Sequence, residues 1–196
     1  PVRDDVPLIG MVSRLVWQKG VDLAIPALRR LFVDTEVQFI ALGTGDPDLE
    51  GALWRLGQDF NFRARVNIGY DAAIAQHIYA GADMFLMPSH FEPCGMGQML
   101  AMRYGSLPIV RETGGLADTV ENYDNGNAER GTGFVFGWEQ PEAVLGTLRW
   151  ATRTYQQNPD AWARMQRRAM RRDFSWNRSA GQYADLYEKA VSARTR

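Results

Sequence analysis

One short segment of the chain reads Met84-Phe85-Leu86-Met87-Pro88-Ser89-His90-Phe91-Glu92-Pro93-Cys94-Gly95-Met96-Gly97-Gln98. An apolar, strand-like run is followed by a turn-rich loop that carries one carboxylate, Glu92, and then by a predicted helix start. In an open α/β sheet, ligands bind at the carboxyl ends of the strands, and a helix N-terminus offers free backbone N–H groups to an anion. The segment therefore predicts a strand, loop and helix whose loop could touch both the neutral and the phosphate part of a substrate.

The same alternation continues on both sides of this segment. Predicted strands cover 8–12, 37–42, 66–68, 84–87, 107–110 and 133–136. Predicted helices cover about 21–33, 48–60, 71–81, 96–104 and 115–121, and Asp22 is the predicted cap of the first. Nearly continuous apolar strands separated by helices indicate a parallel sheet covered on both faces. The predicted fold is a doubly wound, Rossmann-like α/β domain of about six strands.

The length of 196 residues fits a single domain. We expect the Rossmann-like core over about 6–140 and a helical segment over about 141–196, with breaks near 158–159 and 173–175. Between these parts, the polar and turn-rich segment 121–132 predicts an exposed loop.

Composition excludes several classes of partner. The net charge is −1 and the pI about 6.2, so no global field attracts nucleic acid or an anionic membrane. No apolar run approaches the roughly 18 residues of a membrane span. Cys94 is the only cysteine, which fits a reducing compartment. We therefore expect a cytoplasmic protein with neither a nucleic acid nor a membrane as partner. No histidine or cysteine spacing suggests a metal site, and no cofactor is expected.

Two cations, Arg14 and Lys19, follow the first predicted strand. At the carboxyl edge of a sheet they could neutralise a diphosphate, or they could be solvated surface charges. After the second strand, Gly45 and Asp46 belong to a turn that leads into a helix. This turn could contact a ligand, or Asp46 could simply cap the helix.

Three further loops leave alternatives open. Tyr70 follows the third strand, where its ring could stack on a base or pack against the protein. The pair Gly114 and Gly115 opens a helix and could admit a ligand close to the backbone or form a plain turn. His90 could contact a ligand or be structural. We interpret Cys94 as a packing or loop residue, because no neighbouring base would activate it.

Five motifs in this order resemble the bacterial glycogen synthase and plant starch synthase family. They are Ser13-Arg14-Leu15 with Gln18-Lys19-Gly20, Gly43-Thr44-Gly45-Asp46-Pro47, Ile68-Gly69-Tyr70, Pro88-Ser89-His90-Phe91-Glu92-Pro93-Cys94-Gly95, and Thr113-Gly114-Gly115-Leu116-Ala117-Asp118-Thr119-Val120. The resemblance runs from about residue 6 to the C-terminus and includes Phe174-Ser175-Trp176, which matches the start of the family's last helix. It implies the C-terminal, nucleotide-sugar-binding half of a GT-B fold, in which two Rossmann-like domains face each other across a cleft without a catalytic metal.

The resemblance also implies roles for individual residues. Arg14 and Lys19 would hold the phosphates of ADP-glucose and stabilise the leaving ADP. Glu92 would contact the transferred glucose, and Tyr70 would stack on adenine. The other donor-binding residues that the resemblance implies are Gly45, Cys94, Gly95, Met96, Gly97, Thr113, Gly114, Gly115 and Leu116.

The chain departs from the family pattern at two positions. Relatives usually carry a threonine where this chain has Gly97, so a hydroxyl is lost while the backbone donor remains. In the broader superfamily a glutamate that binds ribose occupies the position of Leu100. Synthases of this family also lack that glutamate, but many have an aromatic residue there. Ribose recognition therefore differs from the broader pattern.

The expected activity is transfer of glucose from ADP-glucose to the non-reducing end of an α-1,4-glucan, with retention at the anomeric carbon. The family's N-terminal half carries a Lys-Thr-Gly-Gly-Leu donor loop and the acceptor groove, and we expect both to be missing here. The chain alone is therefore expected to be inactive, or nearly so. Two alternatives are a GT-B transferase that uses a UDP-sugar on another acceptor, and a non-catalytic nucleotide- or glucan-binding module.

Overall fold

Six parallel strands form one sheet in the computed structural model, which describes residues 3, 5–125 and 129–194. The strands are β1 (Leu8–Val12), β2 (Gln38–Gly43), β3 (Ala64–Ile68), β4 (Met84–Met87), β5 (Leu107–Arg111) and β6 (Phe134–Phe136). Their spatial order is β3-β2-β1-β4-β5-β6. The chain adds β2 and β3 on one side of β1, and β4, β5 and β6 on the other side. The strand order therefore switches between β1 and β4, and a crevice opens there at their carboxyl ends. The predicted doubly wound parallel sheet is confirmed.

Helices cover both faces of this sheet. They are α1 (Val21–Asp34), α2 (Pro47–Asp59), α3 (Ala72–Gly81), α4 (Gly97–Tyr104), α5 (Gly114–Thr119), α6 (Pro141–Gln157), α7 (Pro159–Arg171) and α8 (Trp176–Arg194). Helix α1 packs against α2 and α6, whereas α4 packs against α3 and α7. The three predicted helical pieces after residue 140 are confirmed as α6, α7 and α8. Part of the predicted loop, 126–128, lies outside the described residues.

Two apolar clusters fill the space between sheet and helices. The larger one joins the strands to α1, α2, α6 and α7, and the smaller one lies under α3 and α4 around Ile78 and Phe85. Helix α8 contributes no buried residue to either cluster. Among the helices that the structure describes, none is long and apolar enough to cross a membrane.

The larger cluster contains an aromatic group centred on Phe134 of β6. The Phe134 ring is fully buried and lies 4.9 Å from the Trp150 ring, 5.9 Å from the Trp162 ring and 5.6 Å from the Tyr123 ring, measured between centroids. Because Trp150 and Trp162 belong to α6 and α7, this group attaches both helices to the edge of the sheet.

Truncation of Phe134 to alanine is expected to lower the free energy of unfolding by about 3–5 kcal/mol, because the ring loses its burial and leaves a cavity. Urea denaturation of Phe134→Ala measures this loss. Phe62→Ala is the matched control, since the Phe62 ring is 83% exposed and its removal should change stability by about 0.5 kcal/mol at most. Equal losses in the two variants would contradict the assignment of Phe134 to the core.

The start of α1 differs from the prediction. Gly20, not Asp22, is the N-cap residue, and no side chain caps the helix. The carbonyl of Gly20 accepts the first helical bonds from Leu23 and Ala24, which places Asp22 inside the first turn. The Asp22 carboxylate instead bonds His90. The predicted cap was therefore wrong, because a partner distant in sequence takes the side chain.

Candidate functional site

Two loops at the carboxyl edge of the sheet are bonded to each other. They are the turn 13–20 after β1 and the loop 88–96 after β4. The Gln18 carbonyl accepts from the His90 backbone N–H at 2.9 Å, and the Gln18 side chain donates to the Phe91 carbonyl at 3.0 Å. Gly20 has a φ of 69°, and a Cβ there would overlap the Pro88 carbonyl. Glycine is therefore required where the two loops meet.

An ion pair between Lys19 and Glu92 lies at this junction. The Lys19 ammonium contacts Glu92 Oε2, and the side chains are 18% and 7% exposed. Ser89 Oγ donates to the same oxygen at 3.4 Å. Among the described residues no hydrogen bond to Glu92 Oε1 is found, so this oxygen is available to a ligand. A nearly buried carboxylate needs a cationic partner, and Lys19 supplies it.

A cavity of about 240 Å³ opens beside the ion pair. It lies between the ends of β1 and β4, in the crevice that open α/β sheets use for ligands. Strand residues line its floor and the two loops line its walls. The predicted site residues that it brings together are Arg14, Lys19, Glu92, Gly95, Met96 and Gly97.

Tyr70 and Leu100 lie outside the lining of this cavity. The Tyr70 side chain is 89% exposed after β3. Its contact with a base therefore remains a prediction. Leu100 lies on α4 and faces a separate, mainly apolar groove of about 430 Å³ together with Met96 and Phe174.

The turn after β2 is held by its own side chains. Thr44 Oγ1 and the Gly45 N–H donate to Glu50 at 2.6 and 2.7 Å, and both bonds hold the pKa of this carboxyl below its usual range. Asp46 caps α2 by accepting from the backbone N–H groups of Asp48 and Leu49. Asp46 therefore caps the helix, which is one of the two alternatives predicted for this turn. A contact between Gly45 and the nucleotide-sugar stays a prediction.

The glycine pair after β5 holds the Glu92 loop. A Cβ on Gly114 would overlap the Glu92 carbonyl, and one on Gly115 would overlap the Cys94 carbonyl. The Gly115 N–H donates to the Glu92 carbonyl at 2.9 Å. This N–H group of α5 is therefore already bonded within the protein. Leu116 is fully buried in the core, and contacts of this segment with a donor remain predictions.

Thr113 and Cys94 lie next to the contact between α5 and the Glu92 loop. Thr113 occupies the N-cap position of α5, and its side chain makes no capping bond. The Cys94 side chain is exposed, as expected for a loop residue. Neither side chain lines the cavity beside the ion pair.

Gln98 is a site residue that sequence analysis missed. Its side chain is fully buried, and its amide donates to the carbonyls of Cys94 and Gly95 at 3.1 and 3.0 Å and to Thr119 Oγ1 at 3.1 Å. It thereby fixes the end of the loop against α5. The available signal was an amide in the first turn of an otherwise largely apolar helix, four residues after Cys94.

His90 has protein partners at both ring nitrogens. Nε2 lies 2.9 and 3.0 Å from the two carboxylate oxygens of Asp22, and Nδ1 contacts Glu139. The Trp17 ring stacks on the imidazole at 4.2 Å and 8°. The Arg111 guanidinium donates to the His90 carbonyl. His90 therefore braces the loop, which favours a structural role over direct ligand contact.

The chain matches the model of a known protein family. The model of the family described as glycosyl transferases group 1 matches residues 6–150. The chain belongs to the group 1 glycosyl transferases. The expected resemblance to glycogen and starch synthases is also confirmed. Within the described ranges, no group of three or more His, Cys, Asp or Glu side chains could hold a metal ion.

Individual group 1 glycosyl transferases are similar over nearly the whole chain. A glycogen synthase from Streptococcus gordonii is 50% identical over 97% of the chain, and one from Moorella thermoacetica is 45% identical over 99%. The solved catalytic domain of starch synthase IV from Arabidopsis thaliana, bound to ADP and acarbose, has a TM-score of 0.85 and 38% identity over 97% of the chain. The chain covers 40%, 39% and 39% of these three proteins, respectively.

Proposed function

We propose that the chain is the donor-binding half of a glycogen or starch synthase. The complete enzyme would transfer glucose from ADP-glucose to the non-reducing end of an α-1,4-glucan, with retention at the anomeric carbon. The observation that carries this proposal is the nearly buried Lys19–Glu92 pair beside a cavity at the β1/β4 crevice. A cation and a carboxylate in contact suit a ligand whose phosphate adjoins a neutral sugar.

The ion pair leaves both partners able to bind such a donor. An ammonium has three N–H groups, and Lys19 uses one on Glu92. The remaining groups could donate to a phosphate oxygen. Glu92 Oε1 could accept from a glucose hydroxyl, since both bonds found for this carboxylate end on Oε2. The two side chains would therefore hold the donor on either side of the bond that breaks.

The reaction breaks the bond between the anomeric carbon and the phosphate oxygen of ADP. Negative charge then develops on the leaving diphosphate, and Arg14 and Lys19 would neutralise it. The terminal glucan hydroxyl would attack the same face of the sugar, and its proton would pass to the leaving phosphate. Glu92 would orient the glucosyl group during this step.

The remaining predicted residues complete the donor site in this proposal. Tyr70 would stack its exposed ring on adenine. The backbone N–H groups near the start of α4 would bind the distal phosphate and sugar hydroxyls. The residues assigned to these backbone and turn contacts are Gly45, Cys94, Gly95, Met96, Gly97, Thr113, Gly114, Gly115 and Leu116.

The other half of the enzyme would supply the acceptor groove. The chain spans about two fifths of the relatives that it matches. Residues that hold the terminal unit of the acceptor and close the cleft would therefore lie in a second Rossmann-like domain. We also propose that the enzyme works in the cytoplasm without a cofactor.

Calorimetric titration of the chain with ADP, UDP and ADP-glucose tests the donor. We expect ADP and ADP-glucose to bind and UDP to bind at least tenfold more weakly, an affinity gap of about 1.4 kcal/mol. A preference for UDP would instead support a transferase that uses another activated sugar. Glucan binding without nucleotide binding would support a non-catalytic module.

A rate measurement tests whether transfer requires both halves of the enzyme. With ADP-glucose and glycogen, the isolated chain is expected to transfer no measurable glucose, whereas the full-length protein should be active. The reason is that positioning of the acceptor requires groups outside the chain. Clear transfer by the isolated chain would contradict this division.

A further inference from the structure

Three large aromatic side chains are exposed at the same edge of the sheet as the Lys19–Glu92 pair. Trp17, Phe91 and Trp138 are 63%, 56% and 78% exposed. They belong to the turn after β1, the loop after β4 and the loop after β6, all at the carboxyl edge of the sheet. A single exposed ring is ordinary, but three on adjoining loops indicate a contact surface. We call these three residues the aromatic platform.

The loops of the aromatic platform meet at His90. The Trp17 ring stacks on the His90 ring at 4.2 Å. Phe91 follows His90 directly in the chain, and Trp138 precedes Glu139, whose carboxylate bonds His90 Nδ1. The buried His90 side chain therefore holds the platform in place before any ligand binds. A preformed surface of this kind loses little conformational freedom on binding.

Carboxylates flank the aromatic platform. The side chains of Asp22 and Glu139 are 38% and 45% exposed, so their oxygens can accept further hydrogen bonds from solvent or a ligand. The core of a protein interface is depleted in Asp and Glu, whereas a sugar combines hydroxyl donors with an apolar C–H face that fits an aromatic ring. Negative charge also disfavours phosphates and acidic partners. The chemistry at this surface thus favours a neutral carbohydrate.

We propose that the aromatic platform binds the α-glucan chain, which rests on the proposed function of the neighbouring donor cavity. Phe91 directly precedes Glu92 in the chain, so the platform shares the loop that carries the proposed glucose contact. A glucan whose terminal hydroxyl reaches that sugar would extend over the neighbouring loops. Trp17, Phe91 and Trp138 would carry the sugar units behind the terminal one.

Trp138→Ala in the full-length protein is the decisive variant. Trp17 also stacks on His90, but Trp138 makes no ring contact within the described part of the chain. Calorimetric titration with maltoheptaose is expected to show binding weakened by about fivefold, the loss of one sugar–ring contact. Binding of ADP should be unchanged. Phe91→Ala is expected to weaken maltoheptaose binding in the same way.

Trp54→Ala is the matched control, because Trp54 lies on α2 and is 48% exposed. It should bind maltoheptaose as the unmodified protein does. Unchanged maltoheptaose binding in both Trp138→Ala and Phe91→Ala would overturn the proposal, as would an equal loss in Trp54→Ala. A different outcome would separate the two proposals: maltoheptaose binding that depends on Trp138, in a protein that binds neither ADP nor ADP-glucose. This result would support the aromatic platform and refute the proposed donor site.

Discussion

Lys19→Met in the full-length protein is expected to lower glucosyl transfer by about 100-fold to 1000-fold, the usual cost of removing one group that stabilises developing charge. Charge on the leaving diphosphate is greatest in the transition state, so kcat should fall much more than the KM for ADP-glucose rises. Initial rates with ADP-glucose and glycogen measure both constants. A rise in KM with unchanged kcat would contradict the assigned role.

The same substitution is expected to lower stability, because it leaves the Glu92 carboxylate nearly buried without its cation. Breaking a buried pair costs about 3 kcal/mol. The double variant Lys19→Met with Glu92→Gln should recover most of this loss in urea denaturation, while transfer stays low. Arg30→Met is the matched control, since the Arg30–Glu142 pair is exposed and worth less than about 1 kcal/mol. An equally unstable double variant would contradict the pairing.

The sheet could be predicted because its signals are local. A buried parallel strand is a short apolar run, and the helix between two strands has its own periodicity. All six predicted strands are present in the described chain, and their ends differ by at most two residues; β3 starts at Ala64 where the pattern indicated residue 66. The order of motifs also sufficed to place Arg14, Lys19 and Glu92 at one edge.

The contacts within the site could not be predicted because they join distant parts of the chain. Lys19 and Glu92 were assigned to different parts of a donor, yet they bond across 73 residues. Asp22 fits the local pattern of a helix cap, but His90, 68 residues away, binds it. Local propensity says nothing about such competition.

Sequence position also could not separate packing aromatics from exposed ones in the C-terminal helices. Trp162 is buried in the core, whereas Trp176 and Tyr187 on α8 are exposed. All three rings lie in helices. Which ring is covered depends on what packs against the helix, and α7 has the sheet and α4 as neighbours.

Gly115→Ala is expected to lower the free energy of unfolding by about 3 kcal/mol, because the new methyl group would overlap the Cys94 carbonyl. The backbone of 92–95 would have to move away from α5. Gly146→Ala is the matched control, since Gly146 lies on α6 with open space around its Cβ position. There, alanine should raise stability by about 1 kcal/mol through its higher helix propensity. Urea denaturation compares the two variants.

Cys94 reports whether the loop itself moves in Gly115→Ala. It is the only cysteine of the chain, and its side chain is exposed, so a thiol reagent labels one position. Displacement of its carbonyl should change the labelling rate by at least about twofold, while Gly146→Ala should label like the unmodified protein. Binding of ADP-glucose should weaken together with this change, because Glu92, the proposed contact of the glucosyl group, belongs to the same displaced segment. Unchanged stability with an unchanged labelling rate would mean that the loop and α5 do not lie in contact.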